Sequence, residues 1–377
     1  MHVHYPIVRW GMLIALISTS LHSHPLLAQE PERQNRPEIA SVVRSLVERW
    51  IESEQPPGVI VVVRHEGKTT YFPFGEADKS RGIQITPDSV FELASVTKVF
   101  TTTSLAMEVD AERMRLDAPL ADYAPFLDRQ GGDIKRVTLL HLATHSSSLP
   151  RVPEIRRLET EWNKRLIMEW AARWKADESP GTKYLYSNVA IGLLGYAIEN
   201  VEQKPLGVVF HEQFLTPLGM HHTFFEIPKN DRHLVVQGYG HLGHPVEHSP
   251  IGGWPAGGRL SSSGRDMGEF LTANLGERED LPRITKAMRL AQEPRFKVSE
   301  QMTLGLAWQR VKLQGELVID KNGGLPGTST YIGMLPERKI GVVVMANRGK
   351  CKATGIGRKL LLTIAGKEHH GNEEDEE

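Results

Sequence analysis

Residues 92–100, ELASVTKVF, place Ser95 three positions ahead of Lys98 at the start of an apolar run with helical periodicity. Side chains at that spacing share one helix face, a single turn apart. A serine opening the helix lies in the positive field of its N-terminus, which suits attack on an acyl carbon. Its hydroxyl is nearly inert at neutral pH until a base takes the proton, and a desolvated lysine near other cations has its pKa lowered toward that task. Ser95 reads equally well as a helix cap. The pair alone decides little, because at average residue usage a chain this long holds about one SxxK by chance.

Working outward, Val96, Val99, Phe100 and Met107 form an apolar stripe, while Thr101 to Thr103 form helix poorly and need tertiary packing, which predicts a central helix. Helical patterns dominate from about 96 to 255: VTKVFTTTSLAMEVDAERM, TLLHLATH, LETEWNKRLIMEWAARW and NVAIGLLGYAIENV. Upstream, SVVRSLVERWIES is helical, and GVIVVVRHEGKTTYFPFG reads as two strands around a His65-Glu66-Gly67-Lys68 turn. Downstream, LGLAWQRVK, GELVID, STYIGMLP and IGVVVMANRG are short apolar or alternating runs, followed by the helical KATGIGRKLLLTIAG. The economical arrangement is a mixed α/β (α+β) fold: one antiparallel sheet from both chain ends, flanked by helices, with a mainly helical subdomain inserted. The expected divisions are a signal peptide (1–28), the first part of the sheet domain (29–95), the helical subdomain (96–255), the second part of the sheet domain (256–366) and an acidic disordered tail (367–377).

The chain has 377 residues, 40% of them hydrophobic, enough for two packed units or one large domain with an insertion. Its formal net charge of -1 provides no global field for nucleic acid or anionic lipid, so the expected partner is a small molecule. Arg9, the apolar GMLIALISTSL and a cleavage position at Ala28 read as a removable secretory signal, with no membrane anchor after its removal. The single cysteine, Cys351, forms no intramolecular disulfide, so an exported protein of this sequence must be stable through its core alone.

Two further stretches hold groups suited to a cleft. In SPGTKYLYSNVAIGLLGYAIENV, Tyr186-Ser187-Asn188 comes directly before a helix apolar almost all round. A tyrosine relays protons if cationic neighbours lower its pKa, and an asparagine can donate to an amide carbonyl. Ser187 or Asn188 can also be only a cap, and Tyr186 a core aromatic. In VIDKNGGLPGTSTYIGMLP, Lys321 is expected to end a strand, with Gly323 and Gly324 permitting close backbone approach. Alone, this is a glycine-rich turn.

SxxK at a helix start, YxN about ninety residues later and KxG on a late strand together resemble the ordered motifs of the serine β-lactamases and penicillin-binding proteins. The likeness spans roughly residues 58 to 365 and is closest to the class C β-lactamases and their esterase relatives. It rests on VFELASVTKVFT, TLLHLATHSSSLP, PGTKYLYSNVAIGLLG, PLGMHHTFF, PAGGRLSSSGRDM and KNGGLPGTSTYIGMLPERKIGVVVMANRG, in that order. The resemblance implies Ser95 as acylated nucleophile, Lys98 as its proton-accepting partner and Tyr186 as proton relay. It implies Asn188 as ligand of the substrate's side-chain amide and Lys321 as the positive charge facing the substrate carboxylate. The N–H groups of Ser95 and Gly324 would form the oxyanion hole. It further implies a mixed sheet flanked by helices, with the site at the junction with a helical subdomain.

Two departures stand out. Asn322 replaces the threonine usual between Lys321 and Gly323, and HSSSLP replaces a commoner glycine-bearing loop; just beyond it, Arg151 is within reach of an anionic substrate or is simply an exposed loop residue. His141 and His145 are four apart on a helix, and His241, His244 and His248 share one loop, a zinc possibility weakened by the missing HExxH pattern. The expected function is an exported, periplasmic, monomeric, cofactor-free β-lactamase working through an acyl-serine. The rivals are a carboxylesterase or D-alanyl peptidase with the same site, and a β-lactam-binding sensor or module that stalls after acylation.

Overall fold

The run Val59 to Val63 carries no polar alternation because its strand is covered on both faces. Nine strands form one antiparallel sheet: β1 (Gly58–His65), β2 (Lys68–Asp78), β3 (Ile83–Gln84), β4 (Phe296–Lys297), β5 (Met302–Leu304), β6 (Gln309–Leu313), β7 (Glu316–Leu325), β8 (Thr328–Leu335) and β9 (Ile340–Ala346). The spatial order is β3-β2-β1-β9-β8-β7-β6-β5-β4, so the first and last strands of the chain meet at the β1–β9 seam, with Val61 opposite Val344. Val59, Val61 and Val63 face one apolar core and Ile60 and Val62 the other. A strand apolar on both sides belongs in the middle of such a layered sheet. The β1–β2 turn is the expected one: Glu66 (φ 48°) and Gly67 (φ 71°) both take positive φ, as a type I′ hairpin requires.

The computed structural model describes residues 1–2, 38–130, 132–154, 162–249 and 252–367. The expected signal and acidic tail therefore lie outside the described residues, apart from Met1, His2 and Lys367. From Ile39 onward the chain forms one compact unit; of the preceding unit, Met1–Glu38, only three residues are described. The helices of ten or more residues are α1 (Ile39–Glu54), α2 (Thr97–Asp110), α3 (Lys164–Arg173), α4 (Asn188–Glu202), α5 (Gly264–Asn274), α6 (Pro282–Gln292) and α7 (Ala353–Ile364). None of the described helices is long and apolar enough to cross a membrane.

One face of the sheet packs against α1 and α7, through Val43, Val47, Leu360 and Leu361. Against the other lie α5 and, beyond it, α2, whose Phe100 stacks on Phe270 at 3.9 Å. Central placement of α2 explains its threonines. Rather than one apolar stripe, nearly the whole helix is buried, and hydroxyls that would be unsatisfied bond to neighbours. Thr101 donates to Ala256 O (2.8 Å), Thr102 to Leu306 O (2.8 Å) and Thr103 to Val99 O within the helix (2.7 Å).

One expectation is corrected. Lys321 does not end a strand, and Gly323 and Gly324 do not form a turn: all lie inside β7, which runs on to Leu325. The reversal falls at Pro326-Gly327, between Leu325 and its partner Thr328. The glycines serve close approach instead: a Cβ on Gly323 would lie 2.5 Å from Leu93 O and Thr330 Oγ1 and 2.9 Å from Ser95 N. A strand interior can use glycine in this way where another backbone presses against it.

Candidate active site

Ser95 is not a helix cap. It sits in a 3₁₀ turn, Ala94–Val96, that runs into α2, and neither helix draws a capping bond from it. Ala94 has φ 47°, a left-handed conformation that for a non-glycine residue persists only when the surroundings enforce it. Those surroundings are visible: Leu93 N donates to Leu260 O (2.8 Å), Leu93 O accepts from Thr330 Oγ1 (2.8 Å), and Thr97 Oγ1 accepts from Leu260 N (3.1 Å). The turn is thus tied to β8, to the segment leading into Ser261 and to α2.

Lys98, fully buried, has its Nζ 3.2 Å from Ser95 Oγ and 2.9 Å from Asn188 Oδ1, and donates to Gly257 O as well. Burial is the main cause that pushes its pKa well below that of an ordinary lysine; Arg151 and Arg259 add to it. Tyr186 donates its hydroxyl hydrogen to Ser95 Oγ at 2.7 Å. Its ring is surrounded by basic side chains, with Lys98 Nζ 4.9 Å, Arg151 Cζ 5.4 Å and Lys321 Nζ 5.5 Å from its centroid. Asn188 opens α4, but the cap is Ser187, whose Oγ accepts from Ala190 N (3.0 Å), leaving the Asn188 side chain to meet Lys98.

These groups border a cleft of about 260 Å³ lined by Ser95, Arg151, Tyr184, Tyr186, Gln309, Lys321, Asn322, Gly323 and Gly324. Lys321 donates to Asn322 Oδ1 (3.0 Å). β6 pairs with β7 only as far as Gln309 opposite Asp320, so β6 does not cover the edge of β7 from Lys321 onward, which borders the cleft. With Leu325 opposite Thr328 closing the hairpin, the alternation of hydrogen-bonded pairs turns the Gly324 N–H away from β8, toward that edge.

Sequence reasoning missed two contributors and misplaced a third, His145, which lies beyond the C-cap Thr144 of the helix Leu139–Ala143 and does not share that helix with His141. His145 is buried, with φ 54°; its Nδ1 accepts from Ser187 N (3.2 Å) and its ring centroid lies 4.5 Å from that of Tyr186. Burial first, then Lys98 and Lys321, push its pKa well below the usual histidine value, so the imidazole is neutral. The Gly257 carbonyl carries no side-chain signal, although its PAGG segment had been singled out. Gln309 comes to the cleft only through the register of β6. His141 caps its own short helix with Thr138. His248 lies 3.2 Å from Ser261 Oγ and 3.7 Å from Glu92 Oε1, while His241 and His244 are exposed. Among the described residues no group of three or more His, Cys, Asp or Glu side chains is placed to hold a metal, so the His241, His244 and His248 cluster weighed for zinc does not form.

A serine at a strained turn, a buried lysine beside it and a tyrosine on its other side, set where helices meet the edge of an antiparallel sheet, define the class of serine hydrolases built on this fold. The chain belongs to the Beta-lactamase family, whose model matches residues 40–364. A β-lactamase of Yersinia enterocolitica is 28% identical over 90% of this chain and 94% of its own length. Among solved structures, a class C β-lactamase superposes with a TM-score of 0.81 at 23% identity, covering 91% of this chain and 99% of that one. A β-lactamase/D-alanine carboxypeptidase from Pseudomonas syringae gives 0.79 at 23% identity, covering 87% and 99%. These structural likenesses bear on the fold.

Proposed function

We propose that the protein is a β-lactamase that opens the β-lactam ring through an acyl-ester on Ser95 and clears the ester with water. The observation that carries this reading is the hydrogen-bond arrangement at Lys98. Burial shifts Lys98 toward its neutral form, in which the amine has two hydrogens and one lone pair. The hydrogens go to Asn188 Oδ1 and Gly257 O, and the lone pair is left facing Ser95 Oγ. Tyr186 already donates to Ser95 Oγ, so the serine's own hydrogen is directed to Lys98.

In this reading Lys98 takes the proton as Ser95 Oγ bonds to the lactam carbonyl carbon. Charge develops on the carbonyl oxygen against the N–H groups of Ser95 and Gly324, donors typically worth about 3 kcal/mol each in the transition state. As the C–N bond breaks, Tyr186 gives its proton to the leaving nitrogen and is reprotonated from Lys98. In deacylation Tyr186 passes its proton toward the again-neutral Lys98 as it takes one from the water attacking the ester, and Lys98 returns a proton to Ser95 Oγ as the ester C–O bond breaks. Asn188 holds the side-chain amide, while Lys321, with Asn322 beside it, faces the ring carboxylate. No cofactor enters these steps. The sequence of residues 1–28 supports export to the periplasm, where the mature chain would act as a monomer, its helical part inserted between the two portions of the sheet domain.

The test is mass spectrometry of the mature protein mixed with representative β-lactams while ring opening is followed. A transient adduct on Ser95 with many turnovers is expected, and Ser95→Ala should lose turnover while keeping the wild-type circular dichroism spectrum. A stalled adduct would make the protein a binding module, and undiminished turnover by folded Ser95→Ala would end the serine mechanism.

A further inference from the structure

Among the described residues that line the cleft the charged ones are Arg151 and Lys321, with no Asp or Glu, and Lys98 and the largely buried Arg259 lie close behind. A β-lactam with a single ring carboxylate satisfies one of the two lining cations, and Lys321 on β7 is the one assigned to it above. Arg151 belongs to a different part of the site. Its own carbonyl accepts from Asn188 N (3.0 Å), which places its backbone beside the residue that would hold the acyl side-chain amide. Its guanidinium stands 5.4 Å from the centre of the Tyr186 ring, and among the described residues no carboxylate forms an ion pair with it.

We propose that Arg151 is a second anion anchor, so that the enzyme favours acyl donors carrying a carboxylate on the acyl side chain in addition to the one on the ring. The proposal rests on the reading of this cleft as an acyl-serine site. A guanidinium presents a planar fork of N–H donors that matches a carboxylate, and a pair formed in a cleft over an aromatic ring is partly shielded from water. Its loop position makes the contact sensitive to salt.

The experiment compares kcat/KM for α-carboxybenzylpenicillin and benzylpenicillin, which differ only in that carboxylate, using the wild type, Arg151→Ala and Arg151→Lys at low and high salt. Any influence of Arg151 on Lys98 acts on both substrates and cancels in the ratio. The ratio of carboxylated to plain substrate should fall about tenfold in Arg151→Ala. It should be partly retained in Arg151→Lys, and should fall with added salt in the wild type but not in Arg151→Ala. Equal ratios in wild type and Arg151→Ala, with both penicillins turned over, would overturn the role of Arg151 and leave the acyl-serine reading standing. Failure of the wild type to turn over either penicillin would overturn both.

Discussion

Lys98 shows what a single residue contributes when its surroundings are chosen by the fold. Burying an amine disfavours its charged form, so native Lys98 releases its proton at lower pH than the unfolded chain's lysine, whose value is near 10.5. Two consequences have definite signs. Activity requires the neutral amine, so kcat/KM should rise with pH through the lowered Lys98 pKa; a rate that falls over that range would exclude Lys98 as the base. Between the native and unfolded pKa values the unfolded chain binds the extra proton, so this group makes stability rise with pH. Burial of the Cys351 thiol, pushed up from 9.0 to about 12, acts in the opposite sense but only above pH 9. Urea denaturation at pH 7 and pH 9 should therefore show a larger gain for the wild type than for Lys98→Met. Identical pH dependence in the two proteins would contradict the assignment.

Among the elements, β7 presses closely on the turn carrying Ser95. Gly323 permits this because it lacks the Cβ that would strike Leu93 O and Thr330 Oγ1. Gly323→Ala should push the strand from the turn by a fraction of an ångström to an ångström, misplacing the Gly324 and Ser95 donors together. Such a displacement is expected to lower kcat/KM about 100-fold while the protein stays folded. Measured kinetics within twofold of wild type would show that the two donors do not act as a pair. Alternation and apolar runs predicted most of these elements, including β1, β2, β8, β9, α2 and α4. They misplaced the end of β7 because two glycines read locally as a turn, and a strand that uses glycine to admit another backbone has the same local signature.

Across the whole molecule, the chain ends are joined at β1–β9, and Asn347 fastens that seam. Its buried side chain accepts from Gly58 N (2.7 Å) and donates to Glu76 O (3.0 Å), bridging β9 to both β1 and β2. Trp50 of α1 adds a second link, donating from Nε1 to Cys351 O at 2.9 Å, just ahead of α7. Asn347→Ala strands a buried donor and acceptor and should cost about 2–4 kcal/mol in urea denaturation. The Asn347 side chain bonds to β1 and β2 and not to the turn carrying Ser95, so kcat of the folded fraction should be little changed. A loss below 0.5 kcal/mol, an order-of-magnitude floor for a buried hydrogen bond, would mean that the apolar contacts alone hold the chain ends together.

By itself the sequence indicated most of the helices and strands, though not α5, α6, β4 or β5, and that Ser95 and Lys98 are neighbours, because residue periodicity and an i,i+3 spacing are geometry inside one element. It placed Tyr186, Asn188 and Lys321 in the same site only through likeness to a known motif order. The tertiary structure alone decided that Lys98 is buried against Asn188 and Gly257, that His145 stands neutral behind Tyr186, and that Arg151 and Lys321 border a cleft with no carboxylate among its described lining residues. Desolvation and the field at a side chain are set by whatever distant segments pack around it, and no local pattern in the chain records which segments those are.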